Sequence, residues 1–211
     1  MDYERAARAV ADTLLSYKTD ESGWKVCRKS NDVIVSWRSS SEFPGNVYKG
    51  EGFIRGSPLK VWECLKPVPN GLRVQWDNNV KTFELVEQIS EDVSVCRTVT
   101  PSAAMGIIAP RDFVDVILVQ KYENGTISSN ATNVIHPSCP PQPGYVRGFN
   151  HPCGCICVPV SGDSNKTQVF TFFQTDLSGL LPRSVVDSFF PSSMAEFYSN
   201  LAKAVKSFKN L

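Results

Sequence analysis

The sequence predicts an α+β domain: a strongly curved antiparallel sheet of about nine strands with a long C-terminal helix laid across it. Three observations carry this. Between residues 24 and 177 most of the chain falls into short runs with a period near two, separated by turn residues. Helical periodicity is confined to the two ends and to short segments between residues 57 and 78, so the alternating rhythm of a parallel sheet is missing. Residues 182–208 carry an apolar stripe that is unusually wide and aromatic. A sheet must cover its apolar face, and a helix of about 27 residues spans about 40 Å, enough to cross from rim to rim. If the sheet bends strongly, side chains do not fill the space beneath the helix and a cavity results.

In chain order, residues 3–18 read as an amphipathic helix with Ala6, Ala9, Val10, Thr13, Leu14 and Tyr17 at helical spacing. Trp24–Arg28, Val33–Trp37 and Val47–Ile54 are strands, the first two joined at Asn31-Asp32. Ser57-Pro58 starts a short helix with Val61, Trp62 and Leu65 inward, and Leu72–Asn78 forms a second helix or turn. Thr82–Ser90 and Val93–Thr100 are strands. Residues 101–110 form a small, apolar, proline-bounded loop without the charge of an ordinary surface loop. Asp112–Tyr122, Thr126–Ile135, an interrupted Tyr145–Val160 and Thr167–Leu177 complete the sheet. The last helix runs from Pro182 to about Phe208, with a kink expected at Pro191.

The chain's 211 residues suit one domain over 1–211, without repeats or linkers. A net charge of +1 argues against a surface that grips nucleic acid or anionic membranes along its length. A polar, partly acidic N-terminus does not resemble a secretory or mitochondrial leader, and no run of about 18 apolar residues exists. A cytosolic monomer is expected. Seven cysteines without framework spacing read as reduced thiols. Cys153, Cys155 and Cys157 share one strand face, but C-x-C-x-C without a second knuckle is no zinc site, so neither metal nor cofactor is expected. No nucleophile elbow, phosphate loop or H-E-x-x-H points to catalysis.

Several motifs carry a family likeness. Pro110-Arg111-Asp112-Phe113-Val114 after the small loop, Asp176-Leu177-Ser178-Gly179-Leu180-Leu181-Pro182 before the aromatic helix, Glu51-Gly52 and Trp76-Asp77 resemble the START (StAR-related lipid transfer) domain family over the whole chain. Gly23-Trp24-Lys25, Glu42–Asn46, Thr100–Met105, Gly125–Asn130 and Arg147–Cys155 are similar to a stand-alone subgroup related to cholesterol carriers. The resemblance implies the helix-grip fold, in which the curved sheet grips the last helix with one ligand enclosed. It also implies non-enzymatic carriage of a lipid, a sterol or a bile acid, between membranes, with transient membrane contact.

The resemblance places an acidic residue at the position of Thr98 and an arginine at that of Ile117 in the cholesterol-carrying relatives. Both are uncharged here, which removes a polar anchor together with its desolvation cost. If Thr98 faces the cavity, Cys96 and Thr100 do too, and Phe113, Asp115 and Ile117 share a face of the next strand. Arg73 and Trp76 complete the expected ligand-binding set. Arg73 either meets a ligand carboxylate at the mouth or pairs structurally with Asp115. The expected gate sets Met105, Ile107 and Ile108 of the loop against Phe189, Phe190, Phe197 and Leu201 of the last helix. Two rival readings keep the same scaffold: a bile-acid buffer without sterol transfer, and an enzyme acting on a polycyclic substrate.

Overall fold

The structure is a computed structural model and describes residues 1–208. Helix α1 (Tyr3–Thr19) is capped by Asp2, whose carboxylate accepts the Arg5 N–H at 3.1 Å. Its buried stripe is Ala7, Val10, Ala11, Leu14 and Tyr17. Ala9, expected inside, is exposed. Four alanines at 6, 7, 9 and 11 do not mark one face by hydrophobicity, and the stripe is rotated by about a residue. Strands β1 (Lys25–Lys29), β2 (Ile34–Ser39) and β3 (Asn46–Arg55) form an antiparallel meander. Helix α2 (Pro58–Leu65) begins at the Ser57 cap, and the single turn α3 (Arg73–Trp76) follows.

The sheet continues with β4 (Thr82–Gln88), β5 (Val93–Thr100), β6 (Arg111–Lys121) and β7 (Ile127–Asn133). The interrupted segment resolves into β8 (Val146–Arg147), β9 (Phe149–Asn150) and β10 (Cys153–Val160). Then come β11 (Asp163–Phe173), β12 (Thr175–Asp176) and α4 (Arg183–Ser207). Nine strands run in the order β1-β2-β3-β11-β10-β7-β6-β5-β4, each antiparallel to its neighbours. The two-residue β8 adds to β6 in parallel, and β9 pairs with β12.

Strand β6 separates two compartments. Val114, Val116 and Leu118 join Val93 and Val95 against Ala7 and Ala11 of α1 on the outer face. Phe113 and Ile117 point the other way, toward α4. Both faces are covered, so β6 is buried almost throughout and its period of two is blurred. On the inner face, α4 lies against β3 with Met194, Phe197, Tyr198 and Leu201 fully or nearly fully buried. A Cβ on Gly50 would stand 2.7 Å from the Tyr198 ring and 2.8 Å from the Met194 sulfur, so glycine there is what lets the helix approach. Tyr198 donates its hydroxyl to the Val169 carbonyl at 2.7 Å and accepts from Thr171 at 3.1 Å. Pro191 lies inside α4 and offers no N–H to the Asp187 carbonyl.

A buried charge cluster ties β5, β6 and β8. Asp112, fully buried, accepts Arg97 Nε at 2.9 Å and Arg147 Nε and Nη2 at 2.8 and 3.1 Å. Burial pushes the Asp112 pKa up, but the hydrogen bonds from Arg147 and Arg97 outweigh it and hold the carboxyl below its ordinary value.

Candidate functional site

Residues from both halves of the sheet and from α4 surround a cavity of about 290 Å³. Thr98 and Thr100 of β5, Phe113 and Ile117 of β6, and Ser129 and Ala131 of β7 form one wall. Cys153–Cys155 of β10 and Thr171–Phe173 of β11 form the opposite one, and Phe189, Phe190 and Ser193 of α4 close it. Strands four places apart in the sheet can share one hollow only if the sheet is concave there. Arg73, Asp77 and Val80 stand at one end, Asn150 and Thr175 at another, and Pro101–Ala103 with Ile108 along the mouth.

The ligand-facing expectations divide. Arg73, Thr98, Thr100, Phe113 and Ile117 line the cavity. Cys96, Trp76 and Asp115 are not among the residues that line it; Trp76 donates its indole N–H to the Cys64 carbonyl at 2.9 Å. Arg73 does not pair with Asp115. Its Nε reaches Asp77 Oδ2 at 2.8 Å, four residues on, and its Nη1 the Leu65 carbonyl at 3.3 Å, with the Phe197 ring 5.1 Å away. The helical turn α3 explains this: 73 and 77 stack on successive turns, which the spacing itself signalled. Asp115 takes an Asn150 amide hydrogen bond at 2.9 Å instead.

Asp115 is 6% exposed, and burial drives its carboxyl up to about 7, only partly offset by the Asn150 hydrogen bond and the Arg147 charge. The folded pKa exceeds the unfolded one. The native chain therefore holds a proton that the unfolded chain has released, and the associated stability, full below the ordinary carboxylate range, is lost as pH rises to about 7. Cys155 and Cys157 of β10 are also buried and Cys153 is half-buried, and burial raises the thiol pKa of Cys153 and Cys157 well above 9 and raises that of Cys155 too. These thiols are protonated and poor nucleophiles at neutral pH. All seven cysteines are free, and among the described residues no three His, Cys, Asp or Glu side chains converge as a metal site would require.

The gate residues need correction in part. Ile108 is buried and lines the mouth with Phe189 and Phe190, but Met105 is fully exposed and Ile107 half exposed, pointing away from α4. Ala104, Met105 and Gly106 all take positive φ, and this left-handed turn flips the loop tip outward. Phe197 and Leu201 lie in the core beneath the helix and do not line the cavity; Phe197 packs on Trp76 and Phe173. Sequence reasoning missed Arg111. It is buried without an acidic partner among the described residues, and its guanidinium donates to the Ala109, Leu177 and Ser178 carbonyls at 2.7, 2.9 and 2.8 Å. It thereby ties the mouth loop to the segment leading into α4. Leu180 on that segment is fully exposed, like Met105.

A concave antiparallel sheet, a closing helix and an apolar hollow with a few polar groups define a small-ligand-binding domain of the helix-grip class. The comparisons agree and go further. A family model described as "START domain" matches residues 4–210. StAR-related lipid transfer protein 5 of Mus musculus is 65% identical over 202 residues, covering 96% of this chain and 95% of that protein. The protein of the same name from Bos taurus is 63% identical over 211 residues, covering 99% of each. The solved structure of human StAR-related lipid transfer protein 5 superimposes with a TM-score of 0.94 at 59% identity, covering 98% of this chain and 97% of that one. The chain belongs to the START domain family.

Proposed function

We propose that this chain is a non-enzymatic lipid carrier that holds one sterol or steroid-type molecule, a cholesterol, oxysterol or bile acid, and moves it between membranes. The observation that carries the reading is the mainly apolar cavity of about 290 Å³ in a START domain chain. That volume lies at the lower edge of ordinary small-molecule sites and suits one compact rigid ligand better than a two-chain lipid. The names of the relatives support transfer as the activity. Exchange requires the mouth loop and the start of α4 to part, and the exposed Met105, Ile107 and Leu180 supply apolar tips for a transient contact with a lipid surface. No helix of the described residues is long and apolar enough to cross a membrane.

An enzymatic reading needs an acid and a base that converge on a substrate. In this cavity Asp77 is committed to Arg73, and the thiols of Cys153 and Cys155 are raised out of the reactive range by burial, which favours carriage. Between sterol and bile acid, Arg73 decides. It is cationic at the cavity end: burial lowers its pKa, but the charge and hydrogen bond of Asp77 together with neighbouring groups outweigh it, and its Nη2 makes no hydrogen bond to a described residue. Arg73→Lys is expected to weaken binding of a cholanic acid about tenfold by losing the planar fork while leaving cholesterol affinity within about twofold. Titration of both ligands checks this, with a thermal melt to confirm that Asp77 has kept a partner. Equal losses for the two ligands, or none for either, would remove Arg73 as a carboxylate anchor.

A further inference from the structure

A second hollow of about 230 Å³ lies between the first turns of α4, the β2–β3 turn and segment 175–181. It adjoins the first: Thr175, Leu177 and Phe190 line both. One layer of side chains therefore parts the two. Within that layer Thr175 is pinned, its hydroxyl donating to Asn150 Oδ1 at 2.7 Å. Phe190 has more freedom. Its ring leans on Phe189, which lines the first hollow, at 5.3 Å, and on Tyr48, which lines the second, at 5.4 Å. Turning that ring moves it into open space rather than into packed atoms.

The two hollows differ in chemistry. The first is mainly apolar, whereas Asn46, Asp176, Arg183 and Asp187 border the second. These polar groups satisfy one another only loosely. Asp176 Oδ1 accepts the Ser178 N–H at 2.9 Å, while its Oδ2 makes no hydrogen bond to a described residue. Asp187 stands 3.7 Å from Arg183, and the Asn46 amide reaches the Tyr48 hydroxyl at 3.5 Å. Carboxylates accept and cannot donate, so the set is short of donors. Two carboxylates against one guanidinium disfavour an anion. Phe43, Tyr48 and Phe190 add ring surface that suits the C–H face of a sugar. A neutral group rich in O–H meets all three conditions, and the volume, below that of ordinary ligand sites, suits a single ring rather than a whole lipid.

We infer that the second hollow is a headgroup subsite: a steroid held in the first hollow passes a single neutral sugar, carried on its ring oxygen, beyond Phe190 and into the second. The inference rests on the carrier reading and adds steroid glycosides to its substrate class. The apolar nucleus stays in the first hollow, with Phe190 turned aside to admit the glycosidic link. The sugar hydroxyls donate to Asp176 and Asp187 and accept from Asn46 and Arg183. An anionic conjugate of the same steroid, such as its sulfate ester, gains nothing there.

The test titrates a hydroxysteroid, its glucoside and its sulfate ester against wild type, Val186→Phe and Asp187→Ala, each checked for folding by circular dichroism. Val186 lines the second hollow and not the first, so a ring there fills the headgroup space alone. Asp187 is half exposed, so its replacement is expected to leave the fold in place. In wild type the glucoside is expected to bind about tenfold tighter than the free steroid, and the sulfate no tighter than the free steroid. Val186→Phe should bring the glucoside to within about twofold of the free steroid, whose own affinity stays unchanged. Asp187→Ala should reduce the glucoside advantage by about threefold. A glucoside without advantage while the free steroid binds, or an advantage retained in folded Val186→Phe, overturns the subsite and leaves the carrier reading intact. A sulfate that gains as much as the glucoside overturns the sugar assignment. Failure of all three compounds to bind the wild type overturns the carrier reading and the subsite with it.

Discussion

Replacing Asp112 with alanine is expected to cost about 3–5 kcal/mol of stability, the largest loss of any single polar substitution here. Asp112 is the shared partner of two arginines in the interior. Arg97, 6% exposed, already has one buried nitrogen, Nη2, without an acceptor, and its contact to Glu84 is long at 3.8 Å. Removing the carboxylate leaves that guanidinium buried with little else to neutralise it. Arg147 is less exposed to the loss because the Cys139 and Pro140 carbonyls also accept from it. For a chain of this length such a loss lowers the melting temperature by on the order of 10 °C. Asp112→Asn, which keeps an acceptor oxygen, should lose less. The wild-type contribution is present above the ordinary carboxylate range and is lost as pH falls through the depressed folded-state value. Thermal melts of the three proteins at neutral and acidic pH check both statements.

The second large effect is on binding and leaves the fold in place. Ala131 of β7 lines the cavity opposite α4, paired with Ile117 on one side and Cys153 on the other. Ala131→Phe projects a ring into the hollow, where ligand atoms would otherwise lie. We expect ligand affinity to fall by about a hundredfold or more, because the ring and a steroid compete for the same volume. Stability should change little, since the ring fills empty space rather than displacing packed atoms. Isothermal titration with a steroid, paired with a melt, reads the two quantities separately. Undiminished binding in a folded Ala131→Phe protein would place the ligand elsewhere.

These expectations draw on parts of the molecule that differed in how readable they were. Most strands followed the period of two to within a residue or two, because alternation is imposed by the pleat wherever one face is wet; β11, which begins at Asp163 and ends at Phe173, was placed four residues too late at both ends. That rule is blurred on β6, which is buried on both sides; its apolar run Phe113–Val119 marked the strand, and the Pro110-Arg111-Asp112-Phe113-Val114 motif lies at its start. The motif marked a place without revealing its physics. Arg111 serves as a clasp for three backbone carbonyls and Asp112 as the hub of a charge cluster, and both depend on segments 35 to 67 residues away.

On β5 and β6 the family resemblance named the face and the period of two extended it: Thr98, Thr100, Phe113 and Ile117 line the cavity, while Cys96 and Asp115 of the same face do not. Ser129, Ala131 and Thr171 escaped notice because short polar or small residues look the same whether they border a hollow or solvent. Arg73 shows a signal that was present and overlooked, since an arginine four residues before an aspartate on a helical turn is a local pair before it is a distant one. At the mouth, the apolar character of Met105 and Ile107 suggested contact with α4. The left-handed turn at Ala104–Gly106 reverses that direction, and three successive positive φ values cannot be inferred from a run of small residues.

The most direct test of the hollow as a lipid site is native mass spectrometry of the protein purified from cells under non-denaturing conditions. The account predicts a second charge-state series displaced by the mass of one sterol or bile acid, at one molecule per chain, and its absence from the Ala131→Phe protein. A wild-type chain that emerges bare and takes up no steroid when challenged, or that carries a two-chain lipid in its place, would contradict it.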